Sequence, residues 1–356
     1  MAFVSAEHRA MAREIVALVG SALPSALLLG CTGQSVIGGG REVEAGPGLA
    51  LLAGSLPGVN LCPFHVEPGE EAALGEGRLA NCLGRDAATA ASIVLADPFS
   101  VEADALLLGL DQIAPGAAHV GGLASGGRTP GENLLFVAGE MRHAGAVGVA
   151  LSGMVEASAV VAQGCRPIGE PMFVTAARDN LLLGLDQRRP LEILRELYQT
   201  LNEADRALFQ NSLLLGVAMS DAHEAFGAGD FLIRNLVGSD AESGAIVVGA
   251  MLREAQVVQF HLRDASTAEE DFGLRLAQYV AANPERQPSA CLLFSCLGRG
   301  EALYGQPDFE SALLGRHLPT TAVGGFFCNG EIGPVGGRTF LHGYTSSMLM
   351  LGQSGR

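Results

Sequence analysis

Three stretches in the last third of this 356-residue chain carry its densest polar chemistry. They read Phe294-Ser295-Cys296-Leu297-Gly298-Arg299-Gly300-Glu301, Gly325-Phe326-Phe327-Cys328-Asn329-Gly330-Glu331-Ile332-Gly333-Pro334, and His342-Gly343-Tyr344-Thr345. In the first, Cys296 and Arg299 follow an apolar run through a glycine loop, where backbone amides can face an anion and a guanidinium can take a carboxylate with two parallel bonds. Asn329 and Glu331 lie in the second glycine loop, and if the two loops meet at one sheet edge Glu331 can accept an amino group. Cys296, Arg299, Glu301, Asn329 and Glu331 are therefore candidate ligand contacts. The structural alternative is an ion pair of Arg299 with Glu301 or Glu331 that braces the glycine turns. A nucleophilic Cys296 would need a lowered pKa and a base such as His342 in reach; the spacing does not require it, and a buried or ligand-lining thiol fits as well.

These loops belong to a pattern that occurs twice. Residues 323–343 share a skeleton with residues 120–139: Val-Gly-Gly first, then Gly126, Pro130, Phe136 and Gly139 opposite Gly330, Pro334, Phe340 and Gly343. Residues 48–65 align without a gap on 244–261, matching His65 with His261, and Leu27-Leu28-Leu29-Gly30 has a partner in Leu213-Leu214-Leu215-Gly216. The apolar run 92–96 corresponds to 292–295, which puts Asp97 near the place of Cys296. Two halves of one topology are expected, each pairing a strand–glycine loop–strand unit with helices. His65 and His261, at equivalent ends of an expected hairpin, read as structural residues rather than metal ligands.

Composition narrows the function classes. Hydrophobic residues make up 48% of the chain, as a folded protein requires, and 38 acidic residues against 22 basic ones give a formal charge of −16. Every basic residue is Arg; the absence of Lys excludes Schiff-base chemistry and a P-loop, and the acidic balance argues against nucleic acid and anionic membranes. Seven scattered Cys with no C-x-x-C pair point away from a disulfide scaffold or structural zinc and towards the reducing cytoplasm. Residues 15–40 carry no charge, but Glu7, Glu14, Gly20 and Pro24 spoil a secretory signal or a membrane span, so helix, turn and strand are expected there.

Along the chain, strands are expected at 26–30, 92–96, 146–151, 157–163 and 231–237, and hairpins over 48–65 and 244–261. Helices are expected after Ser5, over 70–90, from Ser100 to Pro115, from Pro190, from a Thr267–Glu270 capping box, and from Asp308 to His317. The fold class is α/β of the α+β type: two similar halves of mixed or antiparallel sheet, covered by helices and packed sheet to sheet. Arg188-Arg189-Pro190 marks the boundary, giving domains 1–189 and 190–356.

The second-half motifs, with Arg234-Asn235 and Phe260-His261-Leu262-Arg263-Asp264, resemble the C-terminal domain of the FIST family. Leu29-Gly30-Cys31-Thr32, Val120-Gly121-Gly122 and Gly145-Ala146-Val147-Gly148-Val149 are similar to its N-terminal domain, and the likeness covers residues 25–350. It implies intracellular signal transduction with binding of small ligands, amino acids among them, and adds Arg234 to the candidate ligand contacts. The expectation is a cytoplasmic sensor of a small carboxylate such as an amino acid, with a signalling protein as partner and no cofactor, metal, nucleic acid or membrane. A Cys-dependent hydrolase or transferase and a ligandless scaffold are the alternatives.

Overall fold

The computed structural model describes residues 1–71, 74, 78–84, 88–220, 226–227 and 229–353. Predominantly apolar runs form strands buried on both faces, and the chain uses two pairs of them in one arrangement. Thr89–Ala96 runs parallel to Ala118–Leu123 through the helix Ala103–Ile113, and Ala146–Gly153 returns antiparallel on its other side. Ala290–Cys296 runs parallel to Ala322–Cys328 through the helices Glu301–Tyr304 and Phe309–His317, and Ser346–Gln353 returns antiparallel. One antiparallel strand extends each sheet, Val59–Val66 in the first and Val155–Ala162 in the second.

At the opposite edge each sheet is completed by a hairpin. Glu331–Val335 with Arg338–His342 adds to Ala118–Leu123, while Val36–Gly38 with Arg41–Val43 adds to Ala322–Cys328. The two six-stranded sheets thus share strand order and direction, and each takes its edge hairpin from the other half of the sequence. Pairing of Ala91 with Ala118 and of Ala290 with Ala322 makes Gly121 and Gly325 equivalent. A Cβ at either would run into the carbonyl oxygen of the facing strand, at Val94 or Leu293, so only glycine permits the close approach. Val120 therefore corresponds to Gly324, one residue away from its alignment with Val323.

Other expected equivalences fail. His65 lies on a sheet-edge strand, whereas His261 lies on Val257–Arg263 in a separate barrel. Pro130 sits in a turn and Pro334 within a strand, and Leu29–Gly33 and Leu213–Ala218 belong to unrelated sheets. Neither expected hairpin forms: Leu49–Leu51 pairs with Ala2–Ser5 while Val59–Val66 pairs with Ala146–Gly153. Likewise Ala245–Val248 pairs with Leu181–Leu185 and Phe231–Asp240, while Val257–Arg263 pairs with Cys165–Arg178 and Leu213–Ala218. Turn residues mark where the chain reverses, but the choice of partner is made by packing.

Leu29–Gly33 is the centre of a five-stranded sheet, parallel to Ala2–Ser5 on one side, with Leu49–Leu51 beyond that strand and the hairpin Leu135–Val137 and Glu140–Arg142 on the other side. Inward side chains of this sheet and of both six-stranded sheets share one core, where Phe3 stacks on Phe326 at 5.1 Å and Phe294 meets both edge-on. Leu106, Leu107 and Leu110 cover the outer face of the first six-stranded sheet; Phe272, Leu276, Leu313 and Leu314 cover that of the second. The architecture is the expected mixed α+β class. Packing divides the chain into Met1–Ala162 with Phe272–Arg356 as one compact unit and Gln163–Asp271 as another. The second unit is a closed antiparallel barrel filled by Leu, Ile, Val and Phe, and Pro190 opens the helix Pro190–Thr200 within it.

Local corrections follow the same physics. Asp264, not Thr267, caps the helix Ala265–Ala282, accepting hydrogen bonds from the Thr267 amide at 2.8 Å and from the Ser266 hydroxyl at 2.7 Å. Of the helix expected over 70–90, Arg78–Leu83 is described; residues 72–73, 75–77 and 85–87 lie outside the described part. Cys82 on that helix is disulfide-bonded to Cys62, a pairing across 20 residues that spacing could not reveal, and the other five cysteines are free thiols. Among the described residues no helix is long and apolar enough to cross a membrane.

Candidate functional site

The parallel strands Ala290–Cys296 and Ala322–Cys328 end side by side, with Cys296 opposite Cys328. Their two following loops come together there. The Cys296 amide donates to the Thr345 carbonyl at 3.0 Å, the Leu297 amide to the Cys328 carbonyl at 3.0 Å, and the Asn329 amide to the Leu123 carbonyl at 3.1 Å. Gly330 returns a carbonyl to the Leu123 amide at 2.8 Å, which delivers Glu331 into the first six-stranded sheet opposite Gly122. The C-terminal edge of a parallel pair is where open sheets usually bind ligands, because loops diverge there.

Beneath the loops lies a buried polar network. The Arg299 guanidinium is 1% exposed; Nε donates to Glu310, Nη2 to the Tyr304 hydroxyl at 2.6 Å and Nη1 to the Tyr344 carbonyl at 3.1 Å. Glu310 also accepts from Tyr304 at 2.9 Å, Ser295 at 2.7 Å and Ser346 at 2.8 Å. Burial alone would lower the Arg299 pKa, but the facing Glu310 more than offsets it and the net shift is upward. Arg299 thus has Glu310, a helix residue the sequence did not suggest, as an ion-pair partner, and its charge also acts on Glu331.

Glu331 is the unusual group. Its side chain is fully buried; Oε2 accepts from the Thr345 amide at 3.1 Å and the Thr345 hydroxyl at 2.8 Å, while Oε1 has no hydrogen-bond partner of ordinary geometry. Burial pushes its pKa up to about 8, against the opposing pull of Thr345, Arg299 and the nearby Cys296 thiol, so it holds a proton at neutral pH. Cys296 is half-buried, and Asn329 and Glu301 are exposed.

The Glu301 amide, at the end of the glycine loop, is already occupied by the Glu44 carboxylate at 2.8 Å, and a Cβ at Gly300 would collide with that same carboxylate. An internal acid therefore sits where the loop could meet an anion. Glu42, on the neighbouring edge strand, is buried and its pKa rises to about 7 through burial and the charge of Glu310.

The structure therefore brings Cys296, Arg299, Glu301, Asn329 and Glu331 to one edge, with Arg299 underneath it. Arg234 lies on Phe231–Asp240 in the barrel unit, where Nη1 donates to the Ile233 carbonyl at 3.1 Å. His342, cross-strand from Glu331, bonds through Nε2 to the Gly333 carbonyl at 3.0 Å. Glu42 and Glu44 carry no local signal in the sequence, because they reach the edge from a distant element, while Tyr304 and Glu310 stand on the two helices that follow the Arg299 loop, where their residue types alone announce no role. Thr345 stands in one of the three polar stretches, where nothing around it announces a role. Among the described residues no cluster of His, Cys, Asp or Glu is arranged to hold a metal ion.

The equivalent place in the first sheet is closed. Asp97 donates its amide to Gly145 at 2.9 Å, as Cys296 does to Thr345, but its buried carboxylate is satisfied by Asn133 at 3.0 Å and Ser100 at 2.7 Å.

Comparison with known proteins gives two consecutive family matches: the FIST N domain over residues 1–188 and the FIST C domain over residues 190–334. The chain is 37% identical over 348 residues to an uncharacterized protein of Mycobacterium tuberculosis, covering 97% of this chain and 89% of that one. It is 35% identical over 347 residues to an uncharacterized protein of Mycobacterium bovis, covering 97% and 88%.

Proposed function

The chain belongs to the FIST family, whose domains are associated with signal transduction and small-ligand sensing, and from that premise we propose that it senses a small amino acid at the Cys296–Asn329–Glu331 edge. The observation that carries this reading is the Glu331 carboxyl, fully buried, half satisfied and protonated at neutral pH. An ammonium group arriving past the half-buried Cys296 supplies Oε1 with its missing partner, and its charge favours the ionised carboxylate. The ligand carboxylate is left to the exposed Asn329 amide. Arg299 holds the loop in place from below, and Glu301 adds to the acidic field that draws an ammonium in. We place this sensor in the cytoplasm, with a signalling protein as the reader of the bound state.

Titration with a panel of amino acids in weakly buffered solution tests the reading. A ligand that binds the native state raises Tm and, near pH 7, releases close to one proton per site as Glu331 ionises. Glu331→Gln should fold and lose both responses. No Tm shift with any amino acid overturns the proposal, and a shift without proton release moves the site away from Glu331.

A further inference from the structure

The strands that carry Cys296 and Cys328 at one end meet a cavity at the other. A recess of about 480 Å³ opens beside Ala290 and Ala322, where both strands begin. Leu29, Ile93, Val149, Leu151 and Leu292, each no more than 5% exposed, form its floor within the central core. Leu23, Leu51, Leu56, Leu61 and Met154, between 37% and 51% exposed, stand around its mouth. Among the described lining residues there is no charged side chain and no aromatic ring, and the polar side chains are Ser25, Ser55, Ser289 and Gln353.

Protein interiors pack with few voids larger than a water molecule, so a recess of this size reaching the core calls for an occupant. Water is a poor one. Walls with four polar side chains leave most water lying against them without a protein hydrogen-bond partner. A protein helix, about 10–12 Å across, is too wide for more than a fraction of a turn to enter. The size falls within the range of about 300–1,000 Å³ typical of small-molecule pockets, and exposed apolar side chains gathered at a mouth mark a binding surface. Without rings the walls offer no stacking to a planar aromatic molecule, and no charged side chain is there for a head group; the Met1 α-amino group, on a lining residue, is bonded to the Leu52 carbonyl at 2.9 Å.

We propose that this cavity binds a single uncharged aliphatic chain, the tail of a long-chain fatty acyl compound, and leaves the polar head at the mouth. The site is distinct from the Glu331 edge, separated from it by six residues of extended strand, roughly 20 Å, and does not depend on what binds there.

Straight-chain 1-alkanols of increasing length, competing against the fluorescent fatty acid cis-parinaric acid, provide the test. Affinity should rise roughly fourfold for each added CH₂, the yield of burying one such group, and level off once the cavity is full. Leu56→Arg, at the exposed rim, should weaken binding at least tenfold with the fold intact. Ala290→Phe, which fills the recess, should shorten the length at which affinity levels off. Leu108→Arg, on the outer helix away from the cavity, should change neither. Failure of every alkanol to displace the probe, affinity independent of length, or equal losses in Leu56→Arg and Leu108→Arg would each overturn the proposal. Tighter binding of farnesol than of an alkanol of equal length would reassign the cavity to a branched isoprenoid and overturn the acyl assignment.

Discussion

At the scale of the residue, two buried ionisable groups, Arg299 and Glu331, behave oppositely. Arg299 has every reason to stay charged and every donor nitrogen engaged, so it braces the loop. Arg299→Lys keeps the charge but cannot reproduce the planar fork. It should lower stability by about 1–3 kcal/mol for each group left unpaired, seen as a fall in Tm, while amino-acid affinity in the folded fraction changes little. A tenfold loss of affinity with unchanged Tm would instead make Arg299 a ligand contact. Glu331 has its folded-state pKa raised from 4.5 to about 8. The native state therefore holds a proton that the unfolded chain has lost between those values, and stability falls as pH rises from about 4.5 through 8. Tm should fall across that window, and Glu331→Gln should flatten the part due to this group; an identical pH slope in the variant would show that Glu331 is not responsible. The residue types of this edge were legible in the sequence because glycine loops after apolar runs advertise themselves locally. Their partners were not: Glu310 lies on the helix Phe309–His317 and Thr345 at the start of a strand, and only folding brings them to Arg299 and Glu331.

At the scale of the element, glycine separates into two physical kinds. Gly325 lets two parallel strands approach until a Cβ would meet the Leu293 carbonyl, whereas Gly273 stands in the helix Ala265–Ala282 with open space where a Cβ would project. Gly325→Ala should cost at least about 1–3 kcal/mol through overpacking against backbone that cannot move aside. Gly273→Ala should stabilise by up to about 1 kcal/mol, because alanine is the better helix former; chemical denaturation of the two variants checks both signs. The distinction explains how far the fold could be read ahead. The Val-Gly-Gly pattern and the apolar runs correctly announced twin strand–helix–strand units, since burial and close approach leave marks at fixed positions. The alignments of His65 with His261 and of Pro130 with Pro334 failed because they rested on residue types that several environments accept: a half-exposed sheet edge for His65, and a barrel interior against Phe231 for His261.

At the scale of the whole molecule, the exchange of edge hairpins decides which pieces can stand alone. A chain cut after residue 189 separates Ala118–Leu123 from the hairpin 331–342 and Val36–Gly38 from Ala322–Cys328. Each fragment is then left with a bare sheet edge and half a core. Neither should show a cooperative thermal transition, and mixing or co-expressing them should restore one. The segment 163–271, with a closed sheet and its own apolar filling, should instead fold by itself. Circular dichroism melts of the three pieces check both statements, and a cooperative melt of residues 1–189 alone would contradict them. The same exchange sets a schedule for the chain as it leaves the ribosome. Residues 59–153 can pair among themselves early, but the edge at Ala118–Leu123 stays open until residue 342 emerges. At about 5–20 residues per second that delay is roughly 10–40 s. Throughout it the nascent protein displays an unpaired strand edge of the kind that invites pairing with a neighbouring chain, so slow translation between residues 153 and 342 should lower the yield of native protein more than the same slowing placed before residue 59.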